Sequence, residues 1–529
     1  APADAPGGGS GAVRGRECDP GFHLIAAGRA AFEVTVGYRA SLWRRSRHFS
    51  VAKGARRYIA AVVLLGISIL CSALLVPQAG GIGGWPLAWL AMLGLIPAFD
   101  AAVAVLNRVV TGGVGATILP GLALRGGVPE SLRTVVAVPA LLNSHAAIEA
   151  LIEQLEVHHL SSPDGELYFA LLTDWSDAAA ENVPGDRALL QAAAAGIERL
   201  NGRYEPGAAG PRFQLCHRRR VWSEGQRVWM GLERKRGKLH EFNRLLRGAT
   251  DTTFVDYAGT GIVVPADVRY VITLDADTRL PRDAARRLVG KMAHPLNRPR
   301  YDRGSGRVLD GYAVMQPRVA PSLPIGSEGS RFQRIFSSAS GIDPYSAAVS
   351  DVYQDLFGEG SYAGKGIYDI DAFEAALAGR VTEGALLSHD LFEGIYARAG
   401  LVSDIQVVED FPSRYDVAAA RQHRWARGDW QLLPWIFGRA DAALTVGTRG
   451  SARLPLISLW KMLDNLRRSL CAPACVAALL AGWLLLPPVA AAKWTAFILA
   501  TIALPAWLPA FAAVFPGRAG ISVRSHLFA

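Results

Sequence analysis

The stretch Arg269-Tyr270-Val271-Ile272-Thr273-Leu274-Asp275-Ala276-Asp277-Thr278 decides how this chain is read. An apolar, β-branched run with no polar alternation reads as a buried central strand. It ends in two carboxylates two positions apart. At the carboxyl end of such a strand the chain must leave the sheet, and α/β folds bind ligands there. Two Asp around one turn can hold a divalent cation and, through it, a diphosphate. The plain alternative is that one Asp caps a helix starting near Pro281 while the other is merely solvated. Asp-x-Asp alone does not choose between them; the surrounding chain does.

Working outward, other strands alternate with helices. Thr134–Pro139 reads as a strand, followed by a helix capped by Asn143 and running to about His158. Leu167–Thr173 is a second strand, ending in Asp174, with a helix from Asp186 to about Leu200. Phe213–His217 and Tyr312–Gln316 are further strands. This alternation predicts βαβ units and a mostly parallel sheet with ligands at the strands' carboxyl ends. Acidic residues stand at two such ends, Asp174 and Asp275/Asp277.

The chain has 529 residues, 50% of them hydrophobic, with 13 Trp and a formal charge of +10. Such a charge suits nucleic acid or an anionic membrane surface. The position of the basic residues favours the membrane and no nucleic-acid partner. Tyr58–Val76 is uncharged and long enough to span a bilayer, and Trp85–Leu106 is broken only by Asp100. Leu470–Leu486 and Trp494–Phe515 repeat the arrangement, with Pro505 and Pro509 predicted to kink the last span. Lys and Arg crowd the outer flanks of both hairpins, among them Arg56, Arg57, Arg108, Arg449, Arg453, Arg467 and Arg468, while the hairpin loops are nearly bare. The positive-inside rule then puts the middle segment in the cytoplasm.

The expected organisation is an amino-terminal cytoplasmic segment (1–57), a transmembrane hairpin (58–110), and an α/β domain (122–454) with interfacial helices near 430–465. A second hairpin (470–515) and a short carboxyl-terminal segment (516–529) follow. The five Cys are scattered and read as free thiols. The chain has no initiator Met and no signal-peptide shape, and both ends read as cut from something longer.

Three further stretches carry chemistry. Glu233-Arg234-Lys235-Arg236-Gly237-Lys238-Leu239-His240 opens a helix with cations around a Gly, as a phosphate-contacting loop needs. A solvated basic face is the plain alternative. Ser388-His389-Asp390 starts a helix, with Ser388 as its cap. Asp390 is then either a dipole-complementing first-turn residue or a general base, with His389 competing for the latter role. Arg421-Gln422-His423-Arg424-Trp425 offers bidentate donors for phosphate and an indole face for a sugar ring, or else anchors an interfacial helix.

Together these motifs resemble those of membrane-embedded, inverting glycosyltransferases of the cellulose and chitin synthase type, with a DxD turn, a later base Asp and a QxxRW motif. Glu233–Gly248, Phe357–Asp371 and Leu387–Trp435 more closely resemble the glycosyltransferase region of bacterial cyclic β-1,2-glucan synthases. The resemblance implies a GT-A-like, Rossmann-like domain in the bacterial inner membrane, facing the cytoplasm. The implied activity is glucose transfer from UDP-glucose to a β-glucan acceptor.

It also implies site roles. Asp174 contacts the nucleotide, beside Lys238, which the basic loop by itself already offers as a phosphate contact. Asp275 and Asp277 bind Mg²⁺ or Mn²⁺ and the diphosphate, Asp390 is the base, and Arg424 and Trp425 face diphosphate and acceptor sugar. Arg421 stands where the motif has Gln, with Gln422 one place late, so both are acceptor-site candidates. Glu359, Tyr362 and Lys365 belong near donor or acceptor. Members of the family carry a carboxyl-terminal phosphorylase-type domain beyond this region. The readings kept beside this one are another processive synthase (β-1,4 or β-1,3) and a non-catalytic glucan-binding or export subunit of the same fold.

Overall fold

The computed structural model describes residues 16–38, 51–257, 259, 261–322, 329–337, 351–380, 390–438 and 454–513. The caps and charges expected of Ser388, His389, Arg449 and Arg453 lie outside these residues.

The strands in chain order are β1 (Thr134–Leu142), β2 (Leu167–Trp175), β3 (Phe213–His217), β4 (Val221–Ser223), β5 (Val228–Met230), β6 (Tyr270–Thr273) and β7 (Thr278–Arg279). They continue with β8 (Arg300–Asp302), β9 (Arg307–Asp310), β10 (Val314–Pro321), β11 (Gly366–Asp369) and β12 (Ala399–Glu409). Eight form one sheet in the order β3-β2-β1-β6-β11-β10-β12-β7. β3, β2, β1 and β6 pair in parallel, as do β10 and β12, while β11 and β7 run against their neighbours. Every residue of β2 is buried, which is what its unbroken apolar run requires of a central strand.

Alternation along the strands divides the core in two. Val136, Phe169, Leu171 and Ile272 face helices His145–Ser161, Asp186–Arg203 and Ala284–Ala293 through Ile148, Ile152, Ile197 and Leu288. Val135, Tyr168, Ala170 and Val271 face helices Arg234–Leu245, Ile370–Leu377 and Asp390–Tyr396 through Phe242, Phe373 and Phe392. The His145 helix is capped by Ser144, whose hydroxyl accepts from the Ala147 N–H, and not by Asn143. The cap falls one residue later because β1 extends to Leu142.

Among the described residues, four helices are long and apolar enough to cross a membrane: Gly54–Ala79 within Val51–Ala79, Gly84–Val114, Leu456–Leu485, and Pro488–Leu508 within Pro488–Ala513. Small residues let them approach closely. Trp494, 2% exposed, lies between Gly94 and Gly482, where an added Cβ would come within 2.8 and 2.3 Å of the indole. The third helix starts well before the predicted Leu470. Residues from Leu456 onward, expected as a separate interfacial helix, continue into the span without a break. Asp100 and Asp464 both pair with Arg467 where these helices meet, so the polar segment is held inside the bundle.

This ion triad yields a stability prediction. Removing one partner of a fully buried pair costs about 3–5 kcal/mol, most of it from the charge left behind, and this half-buried pair is expected to lose less. Arg467→Met is therefore expected to lower the unfolding midpoint in detergent, and Asp100→Leu in the same chain to recover part of the loss. A single variant as stable as the parent would count against the triad.

Candidate active site

Topology gathers the site. β6 ends at Thr273 and the chain turns, the Thr278 N–H donating to the Asp275 carbonyl at 3.0 Å. β7 then pairs antiparallel with the end of β12, setting Thr278 opposite Glu409. The oxygens of Asp275, Asp277 and Glu409 consequently lie within 4.8 Å of one another. β11 runs against β6 with Gly366 opposite Thr273, so the loop entering it brings Lys365 to the same place. Lys365 Nζ lies 3.1 Å from Asp275 and also pairs with Glu409. Lys235 bonds Asp275 and the Gly364 carbonyl, and Arg421 bonds Glu409. Neither Asp275 nor Asp277 caps the next helix, whose first flanking residue is Asp283.

A cleft of about 1330 Å³ opens over this cluster. Lys235, Asp275, Asp277, Lys365, Asp390, Glu393, Arg421, Arg424 and Trp425 all line it. Three carboxylates meet three cations at its floor, and the balance differs at each. Burial raises the Asp275 carboxyl, but Lys235 and Lys365 outweigh it and hold the group well below the usual range. Burial, then the charges of Glu409 and Asp275, push Asp277 up to about 6. Asp390 is raised too, by burial first, with Asp275 adding and Lys235 opposing. It is backed by Gly364, at φ +76°, where an added Cβ would lie 2.9 Å from the Asp390 carboxylate. A side chain there would be strained by the backbone and would crowd the acid.

The oxygen-only set Asp275, Asp277 and Glu409 fits a hard divalent cation. The like-charge crowding that raises Asp277 is the kind a bound cation relieves.

The other expected residues fall in different places. Asp174 is buried, bound by both arms of Arg218 (2.7 and 3.0 Å) and by Lys238 at 3.0 Å. Lys238 also donates to the carbonyl of Ala140 at 2.8 Å. Neither lines the cleft. The Lys238 ammonium, expected to contact the nucleotide, is turned into the core here, and Lys235, three residues earlier, faces the cleft. Asp174 likewise sits behind the cleft wall within an ion-paired group. Arg421 lines the cleft, 4.7 Å from the Trp425 ring, whereas Gln422 is exposed and does not line it. Of the glycine-rich stretch, Tyr362 and Lys365 reach the cleft. Glu359 pairs with Arg398 at 3.4 Å, and the carbonyls of Glu359 and Gly360 accept from Lys461 of the third long helix.

Sequence reasoning missed Lys235 as the loop's cleft-facing cation, Glu409 as the third carboxylate of the cluster, and Glu393 on the cleft wall. The signal for Glu409 was its place at the end of an apolar strand, the same signal that singled out Asp275.

A mostly parallel sheet with carboxylates at its strand ends, flanked by four apolar helices, is a GT-A-like α/β architecture of a membrane-associated protein. Over 519 residues, 97% of the chain, the sequence is 44% identical to the cyclic β-(1,2)-glucan synthase NdvB of Rhizobium meliloti (strain 1021). The chain spans 18% of that synthase's length, so it is related to one region of it. No family model matches the chain.

Proposed function

We propose that the chain is the glycosyltransferase region of a cyclic β-1,2-glucan synthase, an inverting enzyme that adds glucose from UDP-glucose to a growing β-1,2-glucan. The observation that carries this reading is that Asp275, Asp277, Asp390, Arg424 and Trp425 line one cleft, in a chain 44% identical to such a synthase. We place it in the bacterial inner membrane with the cleft in the cytoplasm, where UDP-sugars are made.

In this reading Asp275 and Asp277 hold Mg²⁺ or Mn²⁺, with Glu409 as a further oxygen donor. When bound, the ion neutralises charge developing on the departing UDP. Lys235 and Arg424 add positive charge beside the diphosphate, and the Trp425 indole offers an apolar face to the acceptor sugar. Asp390 takes the proton from the acceptor hydroxyl as it attacks the anomeric carbon. A phosphorylase-type partner domain beyond this region trims the product.

The test is incubation of detergent-solubilised protein with labelled UDP-glucose, with and without Mn²⁺ or Mg²⁺, followed by linkage analysis. β-1,2 linkages are expected. β-1,4 or β-1,3 linkages would favour another processive synthase, and absence of transfer would favour a non-catalytic binding or export subunit.

A further inference from the structure

The helix Asp390–Tyr396 brings a second acid to the cleft wall. Glu393 follows Asp390 by three residues, so the two side chains rise from one helix face, about 5–6 Å apart at Cβ. Both line the cleft, and Glu393 is 8% exposed. Arg236, on the Arg234–Leu245 helix, approaches it to 3.8 Å, too far for a hydrogen bond, and is shared with Glu233 at 3.4 Å. Among the described residues, Lys235 on the same helix, Glu374 on the Ile370–Leu377 helix and Asp390 also act on it. The Tyr362 hydroxyl belongs to the same buried group.

Burial first, then the Asp390 charge, push the Glu393 carboxyl up to about 8, with Arg236 and Lys235 opposing. Two ionised carboxylates on one wall of a cleft that receives a diphosphate would be mutually unfavourable and would repel the donor.

We propose that Glu393 is a positioning residue for the transfer step: buried one turn from Asp390 on the same helix face, and beyond hydrogen-bond reach of Arg236, it shapes the wall against which Asp390 works. The inference rests on the glucosyltransferase reading of the same cleft and adds a residue which that reading does not use. No bond forms or breaks at Glu393, and its proton stays in place through the reaction. When pH rises past about 8 the proton is lost and a second anion enters the wall. The folded state keeps a proton that the unfolded chain releases near 4.5, so stability falls as pH rises from there to about 8 and then levels.

Glu393→Gln keeps the shape and removes the titration. It is to be measured in the detergent-solubilised chain in two ways: thermal midpoint against pH without substrate, and UDP release from UDP-glucose against pH. The readout is the shape of the rate–pH profile: the parent is expected to lose rate above about pH 8, and Glu393→Gln is expected not to. The difference in midpoint between variant and parent should widen from about pH 5 to about pH 8. A midpoint difference that does not change with pH would overturn the proposal. So would a loss of turnover as large as that of Asp390→Asn. If the parent itself fails to turn over UDP-glucose, the glucosyltransferase reading falls, while the midpoint series still reports on Glu393. Should Glu393→Gln not fold, Glu393→Asp takes its place. It is expected to retain both pH dependences, and their loss would count against the proposal.

Discussion

Asp390→Asn is expected to lower glucosyl transfer by about 10²–10⁴-fold while UDP binding persists. The amide keeps the size and hydrogen-bonding reach of the carboxylate and removes only its ability to accept a proton. The assignment depends on placement. Asp390 stands at the first turn of its helix on the cleft wall, backed by a glycine that leaves room for its carboxylate. Burial raises its proton affinity, and the nearby Lys235 and Lys365 charges restrain that rise. A base raised in this way is stronger than a solvent-exposed Asp and is lost to protonation at a higher pH. The parent enzyme should therefore lose rate on acidification before an ordinary carboxylate, near 3.9, would protonate. Turnover of UDP-glucose across pH, alongside UDP affinity, checks both expectations. Near-normal transfer in the variant would remove Asp390 from the role of base.

How much of this was legible in the sequence depended on whether a residue's place is set locally or by distant pairing. The strand ending in Asp275 and Asp277, and the helix carrying Arg424 and Trp425, were readable because period and turn chemistry are local signals. The choice between Lys235 and Lys238 was not. Glu233 and Arg234 both adopt the left-handed region (φ 55° and 47°), and Gly237 packs so tightly that a Cβ would lie 2.4 Å from the Leu232 carbonyl. That bent entry turns Lys235 to the cleft and Lys238 to the core, and a pattern of cations around a glycine carries no trace of it. Glu409 reaches the cluster only because β7 pairs with the end of β12, a contact between segments far apart in the chain. The same holds for the third long helix. Its polar first half reads as interfacial until Asp100, on another helix, supplies the partner for Arg467.

The second large effect is expected at Asp277. At the cleft floor the charges of Asp275, Asp277 and Glu409 are set against those of Lys235, Lys365 and Arg421, so the protein alone offers little net attraction for a diphosphate. A divalent ion held by the carboxylates, as proposed, would supply the surplus, and such an ion is worth several kcal/mol to a developing anion. Asp277→Ala is accordingly expected to weaken Mn²⁺-dependent UDP binding by at least about tenfold, a loss of about 1.4 kcal/mol or more. Asp277 is also the strained member of the set. It is pushed up to about 6 by burial and by the Glu409 and Asp275 charges, so above that pH its ionised form costs stability. Asp277→Asn should then raise the thermal midpoint of the metal-free protein at neutral pH, or leave it unchanged, while still weakening UDP binding. Stability gained as binding is lost is the pattern of a site that stores repulsion for a ligand. It also separates loss of the metal grip from misfolding, which would lower both. Calorimetric titration of UDP with and without Mn²⁺, beside a melting curve, reads the two quantities. Unchanged UDP affinity in the presence of Mn²⁺ would take Asp277 out of the metal grip.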